Sequence, residues 1–447
     1  MSDFWRLEAL EPVALAPFAS ASIVSVPTTD LAGGRKAPPP ATVSHENSTC
    51  MTGYPSADAD TRVAEGHAST GAGPHGLSAR DPATSLVVAI EATRLAREVR
   101  GIGRYVRALV PRFVAQRPNL TIDLFVKRRD VAAMVLYAAQ TNMLKRVNVR
   151  PISEMRGAAA DVRWYPWNTI SDVPATGAVV VTVHDLAPLV FPDLRLTRWL
   201  RNRRWRRRYA AVAARATLLV VDSRFTGDEV QRVLRVPSER MRVVLLAADD
   251  AITERPSNDA HVLTTLGVSR PFVLTVGAAD HRKNLALVER AMARVRETKR
   301  DVSLVLAGPR NDQSDARHER PWERTLGFVS DEALMALYRS AECVVMPSKY
   351  EGFGLPVLEA MQVGTPVICA RTSSLPEVGG DAVIWVDPDD DQALAGALVE
   401  LLADRDARAR LGMAGRARAS QFSWDETARR TLLAMDEAIA MDDCRGA

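Results

Sequence analysis

Two glutamates lie close together in a glycine-rich part of the chain, Glu351 in a short loop and Glu359 in the segment that follows it. The apolar run Cys343–Met346 before the loop predicts a buried strand. Leu355 onward predicts a helix, and Pro356 fits its first turn because the N–H that proline lacks has no intrahelical partner there. Strand, loop and helix N-terminus would present free N–H groups and a positive dipole end at one point, which suits a phosphate.

The two carboxylates indicate what else the ligand contains. A carboxylate in a phosphate site is better suited to accept hydrogen bonds from hydroxyl groups than to contact the anion. The segment therefore implies a ligand with both phosphate and hydroxyl groups, as a nucleotide-sugar has. The residues predicted to surround it are those between the glutamates, Gly352, Phe353, Gly354 and Leu355.

The string from Glu351 to Met361, Glu-Gly-Phe-Gly-Leu-Pro-Val-Leu-Glu-Ala-Met, resembles the Glu-x7-Glu signature of retaining glycosyltransferases of the GT-B fold. Ser373–Val378 and Asp387-Pro388 continue the pattern, and the chain is similar to family four of these bacterial enzymes over about 85–434. The resemblance implies an α/β fold of two Rossmann-like domains facing across a cleft, with a C-terminal helix crossing back to the first domain. Ligands of such sheets bind at the carboxyl ends of the strands.

Length and composition agree with two globular domains. The 447 residues exceed the usual size of a single core, and the net charge of +4 favours anionic partners such as nucleotide phosphates or a lipid surface. The four cysteines are scattered, which indicates a reducing compartment rather than a disulfide framework. We see neither a secretory signal nor an apolar stretch of the roughly 20 residues that span a bilayer. We therefore expect a cytoplasmic protein.

Short apolar runs alternate with amphipathic stretches from Ser85 onward, which is typical of βαβ units and parallel sheets. We predict an N-terminal acceptor domain over 85–255, a nucleotide-sugar domain over 270–423 and the crossover helix over 424–443. The connection between the domains is expected in Ala251–Arg270. Residues 1–84 are rich in Pro, Ala, Ser, Thr and Gly, so we expect a disordered or low-complexity extension, or translation from an upstream start site.

A basic turn follows the first predicted strand of the second domain, in Gly277–Asn284. Arg can bind phosphate oxygens through two N–H groups, and Lys supplies a compact charge. The resemblance implies that Lys283 and Arg282 bind the donor diphosphate. Some members of the family carry Arg directly after the glycine that matches Gly277, where this chain has Ala278. Binding of the diphosphate therefore falls more on Lys283 and Arg282. The alternative is a solvated basic turn.

His184 and Asp185 follow the predicted strand Ala178–Val183. A histidine at the carboxyl end of a parallel strand points into the ligand crevice more often than into the core. In the related family the matching His lies beside the donor sugar, so the resemblance implies a catalytic role for His184. Asp185 would fix the tautomer of this ring or accept from a sugar hydroxyl. Without the resemblance, a structural histidine is the better interpretation.

Gly101, Gly103 and Arg104 lie between the first predicted strand and a helix over Arg104–Gln116. Glycines allow a ligand to approach the backbone closely, and a helix N-terminus favours anions. Because Gly-Ile-Gly-Arg-Tyr resembles a family motif, these residues are predicted to shape the acceptor side of the site and to donate to the leaving phosphate. A tight strand–helix turn is the alternative.

The densest charge run, Arg198–Tyr209, contains seven arginines and two tryptophans. Arginines interleaved with indoles suit an anionic bilayer surface. Many members of the related family extend lipid-linked glycans at the cytoplasmic membrane face, so peripheral contact with its inner face is predicted. A solvated helix face explains the run equally well. No nucleic-acid-binding motif accompanies it, and no nucleic-acid partner is expected.

Together these residues and the family resemblance imply a hexosyltransferase that moves a sugar from a nucleotide-sugar to a glycan or lipid-linked acceptor with retention, in cell-surface polysaccharide synthesis. Glu351 would bind hydroxyls of the donor sugar, and Glu359 those of the ribose. No Asp-x-Asp pair appears in a suitable loop, so neither a metal nor another cofactor is expected. GDP-mannose is the first candidate donor, because His184–Pro188 resembles a sequence of mannosyltransferases; dTDP-rhamnose and UDP-sugars stay open.

Two other functions are compatible with the same fold. A nucleotide-sugar epimerase would share the donor site but form its product without an acceptor. An inactive module that serves as a scaffold would lose the charged residues of the site. His184, Lys283, Glu351 and Glu359 are all present, which argues against the inactive module.

Overall fold

In the computed structural model of the protein, which describes residues 84–98, 101–171, 177–191, 199–248, 258–277, 280–309 and 320–446, the chain forms two parallel sheets. The predicted extension lies outside the described residues except for Thr84, as do Arg198, Ala278 and the first part of the predicted connection between the domains.

The first sheet has, within the described residues, seven parallel strands in the order β3-β2-β1-β4-β5-β6-β7. The strands are β1 (Leu86–Glu91), β2 (Leu120–Val126), β3 (Val147–Pro151), β4 (Val162–Tyr165), β5 (Ala178–Val183), β6 (Leu218–Val221) and β7 (Met241–Val243). The central strands are continuous apolar runs because helices cover both faces of a parallel sheet. Every residue of β5, for example, is buried.

The second sheet follows the same plan, with six parallel strands in the described residues, in the order β10-β9-β8-β11-β12-β13. They are β8 (Phe272–Val276), β9 (Ser303–Ala307), β10 (Glu323–Gly327), β11 (Cys343–Met346), β12 (Val367–Ala370) and β13 (Ile384–Val386). In both sheets the order reverses beside the first strand, and the carboxyl ends of the strands on either side of that point form the crevice where such folds bind ligands.

Thirteen α-helices occur in the described residues. Those of the first half are α1 (Ile102–Gln116), α2 (Val131–Gln140), α3 (Ala187–Val190), α4 (Trp199–Arg215), α5 (Arg224–Glu229) and α6 (Asp259–Leu266). Those of the second half are α7 (Leu285–Thr298), α8 (Asp331–Ser340), α9 (Leu355–Val363), α10 (Leu375–Gly379), α11 (Asp391–Ala403), α12 (Arg405–Ala419) and α13 (Trp424–Gly446). None of these helices is both long enough and apolar enough to cross a bilayer.

The last helix, α13, packs against α1 and so crosses back to the first domain, as predicted. Its buried residues Ala428, Leu432, Met435 and Ile439 are spaced three or four apart and therefore share one face. A buried ion pair between Arg117 and Asp436, with an N–O distance of 2.7 Å, adds a polar link to this contact.

The predicted strands are found with small shifts at sheet edges. Arg242–Leu245 was expected as a strand, but β7 ends at Val243, and the Leu245 carbonyl accepts a hydrogen bond from Thr427 of α13 at 2.7 Å. Thr325–Phe328 was also expected, but β10 ends at Gly327, whose φ of 64° turns the chain. The end of β7 thus coincides with a contact to α13, which local periodicity does not contain, and the end of β10 with a left-handed glycine.

Candidate functional site

Lys283 and Glu351 are brought together, with the Lys283 Nζ at 2.6 Å from the Glu351 Oε1. Lys283 ends the 3-10 turn after β8, and Glu351 lies in the loop after β11. β8 and β11 are adjacent parallel strands, so the loops at their carboxyl ends are neighbours. Both side chains are largely buried, 19% and 11% exposed, which strengthens the attraction between the charges.

Gly277 lets the lysine lie across the end of β8. Its φ is 127°, and a Cβ at this position would lie 3.2 Å from the Lys283 Cε. The turn that follows is organised by Asp280, whose carboxylate accepts from the backbone N–H of Arg282 at 2.8 Å and from its guanidinium at 2.7 Å. Arg282 and Lys283, the two residues predicted to bind the diphosphate, are therefore held side by side at the carboxyl end of β8.

The loop between β11 and α9 is pressed against the first domain at Gly352. A Cβ here would lie 1.8 Å from the backbone carbonyl oxygen of His184, so only glycine fits. The Gly352 carbonyl accepts hydrogen bonds from the hydroxyls of Ser223 at 2.7 Å and Thr226 at 3.0 Å, both in the first domain.

No side chain of the described residues caps the N-terminus of α9 at Gly354. Pro356 has no N–H, and the Val357 N–H donates to the Gly354 carbonyl at 3.0 Å. The donors that this end can offer a ligand are therefore the N–H groups of Gly354 and Leu355.

Phe353 contributes to the core rather than to the surface of the site. Its side chain is buried, and its ring packs edge-on against Phe422 with centroids 6.0 Å apart. Among the residues predicted to bind the donor, Phe353 can therefore take part only through its backbone.

Glu359 is buried on α9 and accepts hydrogen bonds from Arg104 and from the Tyr338 hydroxyl, the latter at 2.9 Å. Burial raises the pKa of Glu359, and the charge of Arg104 opposes that rise. Arg104 was predicted on the acceptor side. The structure instead directs its guanidinium to residues of the second domain, Glu359 and Asp331.

A cavity of about 330 Å³ lies at this contact between the domains. Five of the predicted residues line it, namely Gly101, Arg104, Gly277, Leu355 and Glu359. Most of its remaining wall is apolar, formed by residues such as Val276, Phe328, Val329 and Leu334. The pocket thus combines apolar surface with one carboxylate and one guanidinium, which is the usual composition of a small-molecule site.

Gly101, which precedes α1, and Gly103, in its first turn, are needed for different reasons. Gly101 has a φ of 56° and a ψ of −123° and lines the cavity. Gly103 does not line the cavity, and a Cβ there would lie 1.5 Å from the Glu98 carbonyl oxygen. Gly103 is therefore required by the tight strand–helix turn, which was the alternative interpretation.

His184 is buried in the first domain, and both of its ring nitrogens are bonded. The Nδ1 lies 2.6 Å from the Asp222 carboxylate, and the Nε2 lies 2.8 Å from the Pro166 carbonyl. Burial lowers the pKa of His184, but Asp222 and the Pro166 carbonyl outweigh it, so the pKa is above its ordinary value. Both ring nitrogens are thus engaged within the first domain, and the His184 backbone carbonyl lies against the loop at Gly352.

Of the two roles predicted for Asp185, fixing the tautomer of His184 is wrong, and accepting from a sugar hydroxyl stays a prediction. Asp185 accepts from the backbone N–H of Ala187 at 2.9 Å, and Asp222 takes the place beside the ring. Asp222 follows β6 as His184 follows β5, and Val183 pairs with Val221 in the sheet register. The position of Asp222 directly after β6 is the signal that could have identified it as the partner of His184. That signal is informative only once β5 and β6 are known to be neighbouring strands.

Other contacts between the domains were not anticipated. Glu377 accepts hydrogen bonds from the backbone N–H groups of Arg224 at 2.8 Å and Phe225 at 2.7 Å, at the start of α5. The Tyr350 hydroxyl, beside Glu351, accepts from the Leu186 N–H at 3.1 Å. Glu377 lies in a segment that carries the family resemblance, and Tyr350 directly precedes another, so their sequence positions were the available signal.

The described part of the basic run, from Trp199 onward, forms the start of α4, and its two tryptophans differ. Trp199 and the following Leu200 are 56% and 70% exposed, whereas Trp205 is half-buried and packs against the core of the first domain. Of the two indoles, Trp199 is thus the more accessible, and contact of this run with a membrane stays a prediction.

Two parallel-sheet, Rossmann-like domains with a pocket between their strand ends define the GT-B class, and solved structures confirm it. The lipopolysaccharide glycosyltransferase WaaG superposes with a TM-score of 0.58 at 16% identity, over 77% of this chain and 98% of that one. HepE of Anabaena, solved with UDP-glucose, gives a TM-score of 0.58 at 17% identity, over 78% and 98%. These likenesses establish the fold.

Sequence comparison relates part of the chain to a known family. Residues 264–418 match the family described as glycosyl transferases group 1. The chain is 35% identical over 227 residues to O-antigen chain mannosyltransferase B of Escherichia coli, covering 48% of this chain and 60% of the relative. It is 32% identical over 265 residues to the MMP alpha-(1->4)-mannosyltransferase of Mycolicibacterium hassiacum, covering 56% and 62%. The matches thus span about three-fifths of these relatives' length.

Proposed function

We propose that this protein is a retaining hexosyltransferase that moves a sugar from a nucleotide-sugar to a hydroxyl group of a glycan or lipid-linked acceptor. The observation that carries the proposal is the buried contact between Lys283 and Glu351 beside the uncapped N-terminus of α9. This arrangement supplies positive charge for a departing diphosphate and a carboxylate for sugar hydroxyls at one place.

The 330 Å³ cavity is suited to the nucleoside. Its apolar wall would hold the base, and Glu359 would accept from the ribose hydroxyls. Arg104 and Tyr338 each bond one oxygen of Glu359, and a carboxylate has about four acceptor sites, so sites remain for a ribose.

In the proposed reaction the bond between the anomeric carbon and the diphosphate oxygen breaks, and a bond to the acceptor oxygen forms on the same face. The leaving phosphate takes the acceptor proton. Lys283, Arg282 and the N–H groups of α9 stabilise the charge that develops on the diphosphate. A direct role of His184 at the donor sugar stays a prediction, because both ring nitrogens are bonded within the first domain.

We further propose that the donor is GDP-mannose and that the product belongs to a cell-surface polysaccharide. The names of the two mannosyltransferases, one of them for an O-antigen chain, support this choice. UDP-sugars are the main competitor, since HepE was solved with UDP-glucose. The exposed Trp199 and Leu200, next to exposed arginines of α4, support peripheral contact with an anionic membrane, which vesicle sedimentation tests.

The function is tested by incubating the protein with GDP-mannose, dTDP-rhamnose and UDP-glucose, with and without a lipid-linked acceptor, and measuring nucleotide release and product. We expect GDP to be released from GDP-mannose, and we expect the rate of release to be higher when the acceptor is present. Conversion of the sugar without acceptor would instead identify an epimerase, and no turnover of any donor would identify an inactive module. We also propose that no metal takes part, so EDTA should leave the rate unchanged within about twofold, because protein cations supply the required charge.

A further inference from the structure

A second cavity, of about 380 Å³, lies between the first domain and the basic turn of the second. Its described lining comes from α3, from the residue after α3 and from one face of α4, together with Arg282. Of these, only Arg282 is also part of the proposed donor site. The lining residues are Ala187, Pro188, Phe191, Arg201, Asn202, Trp205 and Arg282.

The position of this cavity relates it to the proposed reaction centre. Arg282 precedes Lys283, which contacts Glu351, and the Arg282 carbonyl accepts from the Lys349 N–H at 2.7 Å. Phe191 packs edge-on against Tyr350 with centroids 5.3 Å apart. The cavity is therefore built from residues adjacent in sequence or space to the loop that carries Glu351. A molecule in it would reach the donor sugar from the side of the first domain.

The lining indicates the chemistry of that molecule. Trp205 and Phe191 offer aromatic surface, against which the apolar face of a sugar ring can pack. Arg201 and Arg282 line the cavity, and guanidinium groups bind phosphate and carboxylate oxygens through paired N–H donors. One N–H group of Arg282 pairs with Asp280 at 2.7 Å, and its other donors can serve the ligand. None of the described lining residues is acidic. A phosphate, with a charge of about −1.5 to −2 and three acceptor oxygens, matches two arginines better than a single carboxylate does.

We propose that this cavity is the acceptor site and that the acceptor carries a phosphate group next to the sugar that is glycosylated. The proposal rests on the proposed function, because an acceptor is needed only for transfer. This acceptor site is not the one predicted from the sequence, which was placed at Gly101, Gly103 and Arg104. Gly101 and Arg104 line the cavity proposed for the nucleoside.

The test measures binding of mannose 1-phosphate, methyl α-mannoside and inorganic phosphate by isothermal titration calorimetry. The informative variant is Arg201→Gln, and Arg204→Gln is the matched control, because Arg204 is exposed on the same helix and does not line the cavity. We expect wild-type protein to bind mannose 1-phosphate more tightly than either other probe. Arg201→Gln should weaken this binding about tenfold or more, Arg201→Lys less, and Arg204→Gln by less than about twofold.

Equal losses in Arg201→Gln and Arg204→Gln would overturn the proposal, since they would reflect only the charge of the helix. So would equal affinities for the phosphorylated and neutral sugars, tighter binding of inorganic phosphate, or no binding of any probe. The rise in melting temperature on adding GDP-mannose tests the donor site separately from the acceptor site. Arg201→Gln should show the same rise as wild-type protein. Wild-type protein that binds mannose 1-phosphate but neither binds nor turns over any nucleotide-sugar would overturn the proposed function and, with it, the assignment as an acceptor site.

Discussion

Arg104 on α1 of the first domain forms an ion pair with Glu359 on α9 of the second, and the two side chains are only 14% and 6% exposed. The pair joins the domains at the cavity proposed for the nucleoside. A buried ion pair contributes little net stability compared with apolar residues, but removing one partner leaves the other charge buried and uncompensated.

Replacing Arg104 by Met should therefore lower the free energy of unfolding by about 3 kcal/mol, because Glu359 loses its countercharge. Urea denaturation at neutral pH measures the change. The control is Arg112→Met on the same helix, whose partner Asp425 is 74% exposed, and a loss below about 1 kcal/mol is expected there. Equal losses would mean that Arg104 acts only as a surface residue.

Loss of either member of the Lys283–Glu351 pair should strongly reduce sugar transfer. We expect Lys283→Ala to lower the transfer rate about 100-fold, since it removes charge that stabilises the leaving diphosphate. Glu351→Ala should also reduce the rate, and the double variant should lose less than the product of the two, because the side chains are in contact. Lys349→Ala is the control, since its partner Asp389 is 75% exposed. Undiminished transfer by Glu351→Ala would refute the proposed donor site.

Gly352 should tolerate no side chain. Gly352→Ala would place a Cβ 1.8 Å from the His184 carbonyl oxygen and push the two domains apart, at a cost of about 2 kcal/mol. Gly396→Ala is the matched control, because Gly396 is exposed within α11 and a Cβ added there would meet no atom within 4 Å. That change should stabilise the protein by about 0.5–1 kcal/mol through helix propensity. Thermal unfolding compares both, and a stable, active Gly352→Ala would contradict the contact.

The raised pKa of His184 predicts a pH dependence of stability. A histidine whose pKa is raised on folding stabilises the native state fully below its unfolded pKa of about 6.5, and this stabilisation is lost as pH rises through the folded pKa. Asp222→Asn removes the charge that raises the pKa. The stability difference between wild type and Asp222→Asn should therefore shrink as pH rises from about 5.5 to about 8.5. Denaturation curves across this range measure it, and a constant difference would exclude a charged His184.

Most residues of the candidate site could be predicted from local sequence because they lie directly after strands. Lys283 follows β8 and Glu351 follows β11, so recognising two buried strands and the helix after them was enough to predict both positions. The strands themselves are apolar runs whose burial on both faces leaves a strong pattern. Gly352 and Gly354 were likewise identified, although the reason for Gly352 is a contact with the other domain.

Tertiary structure decided which side chains meet. Arg104 and Glu359 are separated by 255 residues, and their contact depends on how the two domains close. Asp222 displaced Asp185 as the partner of His184 because β6 lies beside β5, and Trp205 turned inward because one face of α4 packs on the first sheet. Local periodicity specifies helices, strands and their ends, since these arise from neighbouring residues. Side-chain direction across a domain boundary arises from packing between distant segments, which only the folded chain brings into contact.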